Sequence, residues 1–184
     1  MTRLPDAFAW LAGVPGPLMV IEATKLYGTL EAPGTADNPE IMRWAKETGL
    51  SAQGYNKDEV PWCGLYMAVV ALRAGKTAPS VPLRALSWAR FGIPSPEPSL
   101  GDVLVFKRTG GGHVALYVGE DSKNYFCLGG NQGDAVSIVP KPKIRLHACR
   151  RPIYRVKPDN VLPVGIGPVG PTFMAVGPDP SSEV

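Results

Sequence analysis

Cysteine and histidine are both scarce in this chain. Its 184 residues include 3 cysteines and 2 histidines. The cysteines are Cys63, Cys127 and Cys149. Their odd number and their wide spacing argue against a disulfide framework and against a zinc site, whose ligands come in closely spaced pairs. The strand-like surroundings of Cys127 and Cys149 favour two buried apolar thiols, with a bridge between them as the alternative. We therefore expect no metal and no other cofactor.

Long apolar runs and charge clusters are also missing. No stretch approaches the roughly 20 apolar residues of a membrane span, so none is expected. The net charge of +3 arises from 19 basic and 16 acidic residues. The basic side chains are scattered, which argues against a nucleic-acid partner but suits a weak attraction to an anionic polymer such as a bacterial wall. Residues 1–17 fit a signal peptide poorly, because Asp6 and a Pro-Gly-Pro break interrupt their apolar patch.

Helical patterns dominate the first half of the chain. After a lead-in over 1–17, apolar spacing and glycine stops predict helices over 18–27, 39–48 and 62–74, and a short one over 83–90. Pro39 stands in the first-turn position that proline favours. The helix over 62–74 is apolar nearly all round, which predicts a place in the core.

The hydrophobic period changes after a proline-stiffened connector that cannot be helical, FGIPSPEPSLGD. Short strands separated by turn residues are predicted over 103–107, 113–119, 124–128, 135–138 and 144–149. Helices followed by a run of antiparallel strands predict an α+β domain. Residues 158–184 are rich in proline and glycine, and we expect a tail that cannot bury a core of its own. A partner protein or the surface of the same chain would have to hold it.

Cys63 directly follows Trp62 at the start of the most apolar predicted helix. The helix dipole and free N–H groups there favour the thiolate, and such amides can also stabilise an oxyanion. His113 begins a strand behind Gly112 and two further glycines, which leave room for a bulky substrate. A cysteine nucleophile with a histidine base is a recurring solution for breaking amide bonds.

A third polar group is needed to hold the imidazole in the right tautomer. Asn131 fits best, because it sits in a glycine-flanked turn after the third strand and its amide oxygen can accept from a neutral histidine. Asp134 is the alternative for this role. His147, the competing base, lies in a strand and is interpreted as structural. Each of these three residues could instead have a purely structural role. Cys63 could be a core thiol, His113 a turn histidine and Asn131 a turn asparagine.

Three further residues are candidates for substrate contact, namely Trp62, Asp58 and Gly112. Asp58 and its neighbour Glu59 lie just upstream of Cys63, so they are either solvated loop charges or groups that contact a substrate amine or steer the histidine. Trp62 and Gly112 adjoin the predicted nucleophile and base.

Four segments in fixed order carry a resemblance to a known family: GTLEAPGTADNPEI, VPWCGLYMAVVALRAG, PSLGDVLVFKRTGGGHVALYVGED and FCLGGNQGDAVSI. From about Leu18 to Arg150 the chain resembles the CHAP family of cysteine, histidine-dependent amidohydrolases/peptidases, and in particular a subgroup found in phages and prophages. The resemblance implies a papain-like catalytic domain over 18–157, in which N-terminal helices pack on a small antiparallel sheet of about five strands.

The resemblance also implies an activity, which is cleavage of peptidoglycan at the muramoyl–alanine amide or within the stem or cross-bridge peptides. By position, Cys63 is then the nucleophile, His113 the base and Asn131 the orienting residue. Many members of the family have Glu at the third site, so Asn131 follows the subgroup. Some members bind calcium through clustered acids near the N-terminus, but Asp37, Asn38 and Glu40 are too sparse to predict this.

Two modes of delivery fit such a cell-wall hydrolase. A virion-associated lysin rides in the phage tail or baseplate, where residues 158–184 would bind tail or baseplate proteins. A free endolysin is made in the host cytoplasm and released to the periplasm and cell wall. Two alternatives of other classes remain, which are a catalytically silent structural tail or baseplate protein on the same fold and a cysteine protease that acts on proteins.

Overall fold

Three α-helices precede most of the sheet. The computed structural model describes residues 2–168 and 170–174. Within these residues the α-helices are α1 (Leu18–Lys25), α2 (Pro39–Glu47) and α3 (Cys63–Arg73). Short 3-10 helices cover Asp6–Gly13, Ser51–Gln53, Ala85–Arg90 and Lys143–Arg145. The helices predicted over 18–27, 39–48 and 62–74 are confirmed with slightly shorter ends, and the one predicted over 83–90 is a 3-10 helix.

Local chemistry explains where α2 and α3 begin. The Asn38 side chain caps α2 by accepting from the Glu40 N–H at 2.7 Å, and Pro39 follows it in the first turn. Every residue of α3 from Cys63 to Ala71 is buried, as its apolar composition predicts. Gly64 is required in its first turn, because any side chain there would collide with the carbonyl oxygen of Pro82.

The sheet is almost entirely antiparallel. Its strands are β1 (Ile93–Pro94), β2 (Val103–Arg108), β3 (Gly111–Glu120), β4 (Asn124–Gly129), β5 (Ser137–Pro142), β6 (Leu146–Arg151), β7 (Val164–Gly167) and β8 (Gly170–Phe173). The main path runs β1-β6-β2-β3-β4-β5, and each pair along it is antiparallel. The helices and this sheet confirm the predicted α+β class.

The predicted strands differ from the structure mainly at the edges of the sheet. The strand expected over 135–138 lies further along, at β5, which includes Pro140 and Pro142. Proline is tolerated there because β5 pairs only with β4 and needs no N–H on its outer side. The two-residue β1 and the hairpin of β7 and β8 were not predicted, since their sequences carry no alternating pattern.

The segment after residue 157 is built into the domain as far as residue 174. Val161 and Val164 are buried, and the Tyr117 hydroxyl accepts from the Val164 N–H at 3.0 Å. Gly165 pairs in parallel with Glu120 at the end of β3. Residues 158–168 and 170–174 therefore dock on the chain's own surface, which is one of the two supports expected for this segment. Residues 175–184 lie outside the described part.

The predicted lead-in over 1–17 also joins the core. Its 3-10 helix buries Phe8 and Leu11, and the Phe8 ring meets Phe126 of β4 edge to face at 5.3 Å between centroids. Trp10 meets Phe173 of β8 edge to face at 5.6 Å between centroids, so this 3-10 helix also contacts the hairpin of β7 and β8. No helix in residues 2–168 and 170–174 is long and apolar enough to cross a membrane.

A buried ion pair joins β2 to β6. Asp102 is fully buried at the start of β2, and both of its carboxylate oxygens accept from the Arg151 guanidinium, at 3.0 and 2.8 Å. The Ser99 N–H donates to the same carboxylate at 3.0 Å. Asp102, predicted only as a turn acid, thus ties together the strands on one side of β3.

Candidate active site

Cys63 is the first residue of α3, as predicted, and its side chain lies where the helix meets the sheet. The residue is 4% exposed. Its sulfur lies beside the backbone N–H groups of Gly64 and of Val114, and Val114 directly follows His113 in β3. The start of α3 and the beginning of β3 therefore bring the predicted nucleophile and the predicted base to one corner of the fold.

His113 is buried and has one well-defined side-chain partner. Its Nε2 lies 2.9 Å from the Oε1 of Gln132. An amide oxygen only accepts, so Nε2 carries the proton and donates it to Gln132. In the neutral imidazole the lone pair is then on Nδ1, so that nitrogen is the one able to take up a proton.

The Gln132 side chain is held in this orientation by the backbone. Its Nε2 donates to the carbonyl oxygens of Ser137 at 2.7 Å, Cys127 at 3.1 Å and Gly129 at 3.3 Å. Because three carbonyls surround the NH2 group, flipping the amide would place an oxygen among acceptors. The Oε1 atom is thereby directed at His113, and the histidine tautomer is set by contacts that lie outside the cleft.

The prediction that Asn131 orients the imidazole is corrected by these contacts. Asn131 is one of two non-glycine residues with positive φ in residues 2–168 and 170–174, at 53°. Its side-chain amide donates to Glu31 at 3.2 Å. The left-handed backbone of Asn131 turns the chain so that the next residue, Gln132, meets His113.

Trp62, which was expected to contact substrate, has no surface exposed for such a contact. It is fully buried, and its indole N–H donates to the Glu31 carboxylate at 2.8 Å. Glu31 therefore accepts from both Trp62 and Asn131 and links the start of α3 to the turn after β4. Sequence analysis missed Glu31 because it lies 31 residues before Trp62, and nothing in its own loop indicates that distant partner.

Asp58 was also predicted to contact substrate, and the structure corrects this as well. The residue is fully buried, and its Oδ2 accepts from the backbone N–H groups of Ala32 and Asn38 at 2.9 and 2.8 Å. It fastens the loop between α1 and α2 beneath the start of α3. Its role in this structure is to hold that loop.

Two glycines allow the turn after β4 to approach α3. A Cβ on Gly130 would lie 2.6 Å from atoms of both Trp62 and Tyr66. A Cβ on Gly129 would lie 2.8 Å from the Cβ of Ala115 and 3.2 Å from the amide carbon of Gln132. The two glycines of the Gly-Gly-Asn-Gln sequence thus allow the close packing that brings Gln132 to the imidazole of His113.

Gly112 lies in the open cleft above this corner, as predicted. The cleft is lined by Pro61, Cys63, Leu83, Arg84, Ala85, Leu86, Lys107, Arg108, Gly110, Gly111 and Gly112. A side chain at Gly112 would press on Leu86 at 2.8 Å. Solvent reaches the sulfur from this side only to the small extent that its 4% exposure allows.

Burial raises the pKa of the Cys63 thiol, against the expectation of a lowered value. The N–H groups of Val114 and Gly64 and the charge of Arg108 favour the thiolate, but removal from water outweighs them. The expectation considered only the helix start and could not anticipate the depth of burial. Cys63 is a neutral thiol at neutral pH.

Burial, helped by the nearby charge of Lys141, lowers the pKa of His113 to about 4, although the hydrogen bond to Gln132 opposes the shift. The imidazole is therefore neutral at neutral pH. A neutral thiol and a neutral imidazole are the protonation states that general-base catalysis uses, in which the proton leaves sulfur as the bond to a substrate forms.

The lowered pKa of His113 predicts an acid-sensitive fold. The unfolded chain binds a proton near pH 6.5 and the folded chain only near pH 4, so this contribution to stability is complete above pH 6.5 and is lost as the pH falls towards 4. At about 1.4 kcal/mol per pKa unit, the free energy of unfolding falls by about 3 kcal/mol on this account. Urea unfolding across this range should show the fall in the native protein and its absence in His113→Gln.

His147 provides the control for this measurement. It is the second of the 2 histidines and is exposed on β6. A His147→Gln variant should keep the acid sensitivity of the native protein. Equal acid sensitivity in the native and His113→Gln proteins would contradict the assigned pKa.

The residues that the structure describes contain no group of three or more His, Cys, Asp or Glu side chains able to hold a metal ion. All three cysteines are free and buried. The chain was also compared with known proteins. No protein-family model matches the sequence, and no curated protein matches it either.

Proposed function

We propose that this protein is a cysteine-dependent peptidoglycan hydrolase with a papain-like catalytic domain. The observation that carries the proposal is the hydrogen bond between His113 and Gln132, because three backbone carbonyls direct the Gln132 oxygen at Nε2. Any partner would satisfy the N–H of a buried histidine, whereas an amide held by three carbonyls also fixes the tautomer that a histidine base needs. The resemblance to the CHAP family supplies the substrate class.

In the proposed reaction, the Cys63 sulfur attacks the carbonyl carbon of a wall amide while Nδ1 of His113 takes the thiol proton. The backbone N–H of Cys63 has no acceptor within α3 and is available to the oxyanion. The tetrahedral intermediate collapses as the imidazolium returns its proton to the leaving amine, which departs. Water, deprotonated by the same imidazole, then attacks the thioester and releases the carboxylic acid and the free thiol.

A catalytically silent structural protein on the same fold is the second candidate. One observation favours it, which is that Cys63 is 4% exposed and its thiol pKa is raised. The two candidates differ in what the His113–Gln132 bond is for. In a silent protein the bond only satisfies two buried polar groups.

The deciding experiment is digestion of purified sacculi and of defined muropeptides, followed by mass spectrometry. We expect a single type of new amino terminus and new carboxyl terminus, which identifies the scissile amide. Intact casein in the same assay separates a wall hydrolase from a protease that acts on proteins. No new termini from sacculi, muropeptides or casein would leave the silent protein as the answer.

The same assay shows whether Gln132 or Asn131 orients the His113 imidazole. Gln132→Leu removes the acceptor of the Nε2 proton, so we expect hydrolysis to fall by about 10² to 10³ with the protein still folded. Asn131→Leu is unsuitable as a control because the residue needs positive φ, so Asn131→Gly is used and should retain most of the activity. The reverse order of effects would restore Asn131 as the orienting residue.

Either delivery mode, virion-associated lysin or endolysin, fits this proposal. Docking of residues 158–174 on the domain removes the need for a tail or baseplate partner to hold that stretch. Mass spectrometry of purified particles separates the two modes, because only a virion-associated lysin remains with the particle.

A further inference from the structure

The cleft above Cys63 is the middle of a longer surface depression. It shares Arg84 and Leu86 with a hollow that also contains Arg90. It shares Lys107 and Arg108 with a second hollow, which contains Arg145 and His147. We call this continuous depression the cationic groove, and its charged lining consists of Arg84, Arg90, Lys107, Arg108 and Arg145.

The charge of the groove is of one sign and is not compensated. No Asp or Glu side chain is among the residues that line its three parts. All five cations are exposed, and none takes part in an ion pair with an acid in residues 2–168 and 170–174. Elsewhere, Arg3, Lys25, Arg43, Arg73, Lys143 and Arg151 are each paired with a nearby carboxylate. The net charge of the whole chain is only +3, but the local charge of the groove is strongly positive.

The groove also offers an apolar contact on one side of the cleft. Ile144 is 93% exposed and lines the hollow that contains Arg145. A large apolar side chain so exposed among cations suits the aliphatic part of an anionic chain. A nucleic acid would present flat bases for stacking and a phosphate on every residue, but no Phe, Tyr or Trp side chain is among the residues that line the groove.

On the basis of the hydrolase proposed above, we propose that the cationic groove selects peptides that carry a free carboxylate on each side of the scissile amide. Arg84 receives the carboxylate on one side of Cys63, and Arg108 receives the one on the other side. Amidation weakens binding of the peptide to the groove, because it removes the negative charge of each carboxylate and places N–H donors opposite the cations. The groove is thus a specificity determinant for unamidated wall peptides.

Binding can be measured without turnover in the full chain carrying Cys63→Ala. The probes are a synthetic stem peptide with both carboxylates free and the same peptide with both amidated. Exposed charge contacts contribute up to about fivefold each, so two together should favour the free acid by about tenfold. This preference should shrink as the salt concentration rises.

Two charge-removing variants in the same background locate the effect. Arg84→Gln with Arg108→Gln should abolish the preference for the free acid. Lys46→Gln with Arg155→Gln removes the same charge from exposed positions outside the groove and should preserve the preference. Equal affinity for the two peptides, or a preference that survives loss of Arg84 and Arg108, would overturn the proposal. Displacement of the free acid by an equally charged oligonucleotide at lower concentration would also overturn it.

The outcome is separable from that of the hydrolase proposal. If the groove prefers the free acid but the native protein cleaves nothing, the hydrolase assignment fails and the binding preference stands. If the native protein cleaves both peptides with equal kcat/KM, the hydrolase stands and the charge selection fails.

Discussion

Replacing Cys63 with alanine should lower the rate of amide hydrolysis by at least about 10⁴, because no other side chain at this corner can form the thioester. The folded protein should be little affected. Alanine keeps the Cβ and leaves only a small space in a position that is already apolar. The measurement is the initial rate of turbidity loss of purified sacculi, with the melting temperature of each variant as the check on folding.

Cys127 supplies a matched control for this substitution. It is also a free buried cysteine, and burial raises the pKa of its thiol still further beyond the ordinary range. It lies in β4, and its carbonyl oxygen, which accepts from Gln132, is unchanged by a side-chain substitution. Cys127→Ala should therefore keep the native rate of hydrolysis, apart from any loss caused by a smaller fraction of folded protein. Native-rate lysis by Cys63→Ala would end the hydrolase assignment.

The proposed nucleophile and the proposed base were accessible to sequence analysis because each has a local signature. Cys63 stands at the change from a polar loop to an apolar helix, and His113 stands where glycines give way to an alternating strand. The partner of His113 was harder, since Asn131 and Gln132 are adjacent and either amide can accept. One signal was present: asparagine tolerates positive φ in a turn, so the backbone alone accounts for Asn131, whereas nothing local accounts for Gln132.

Burial was the property that sequence analysis judged least well. Trp62 and Asp58 adjoin Cys63 in the chain and were assigned to substrate, yet both are fully buried. Their environment is created by Glu31, Ala32 and Asn38, which lie in a loop far upstream. The same long-range packing encloses Cys63 and raises its pKa, so helix geometry alone gave the wrong direction.

The hairpin after residue 157 shows a related limit. Its strands contain proline and glycine at high density and no alternation. They form because the sheet offers a docking place in Tyr117, whose hydroxyl accepts from the Val164 N–H, and because Gly119 leaves room for Ile166. Such strands depend on the partner surface, and composition alone predicts a tail.

Removing the Asp102 carboxylate should cost about 3–5 kcal/mol in the free energy of unfolding, because it leaves a charge without its partner in a buried setting. Asp102→Ala removes both carboxylate acceptors of the Arg151 guanidinium, which keeps only the Glu97 carbonyl and the Ser99 hydroxyl. It also removes the carboxylate contact of the Ser99 N–H. Asp6→Ala breaks an ion pair with Arg3 whose side chains are 88% and 83% exposed, so it should cost less than about 1 kcal/mol. Urea unfolding at neutral pH measures both.

The double variant Asp102→Leu with Arg151→Met tests whether the cost arises from the unpaired charge. Desolvating two ions offsets much of their attraction, so an apolar pair of similar size should recover most of the stability that either single substitution removes. If the double variant is as unstable as Asp102→Ala, the loss comes from the packing of β2 against β6, and not from a stranded guanidinium. Because β2 also pairs with β3 through Phe106 opposite His113, recovery of stability without recovery of hydrolysis would show that the ion pair also sets the position of the base.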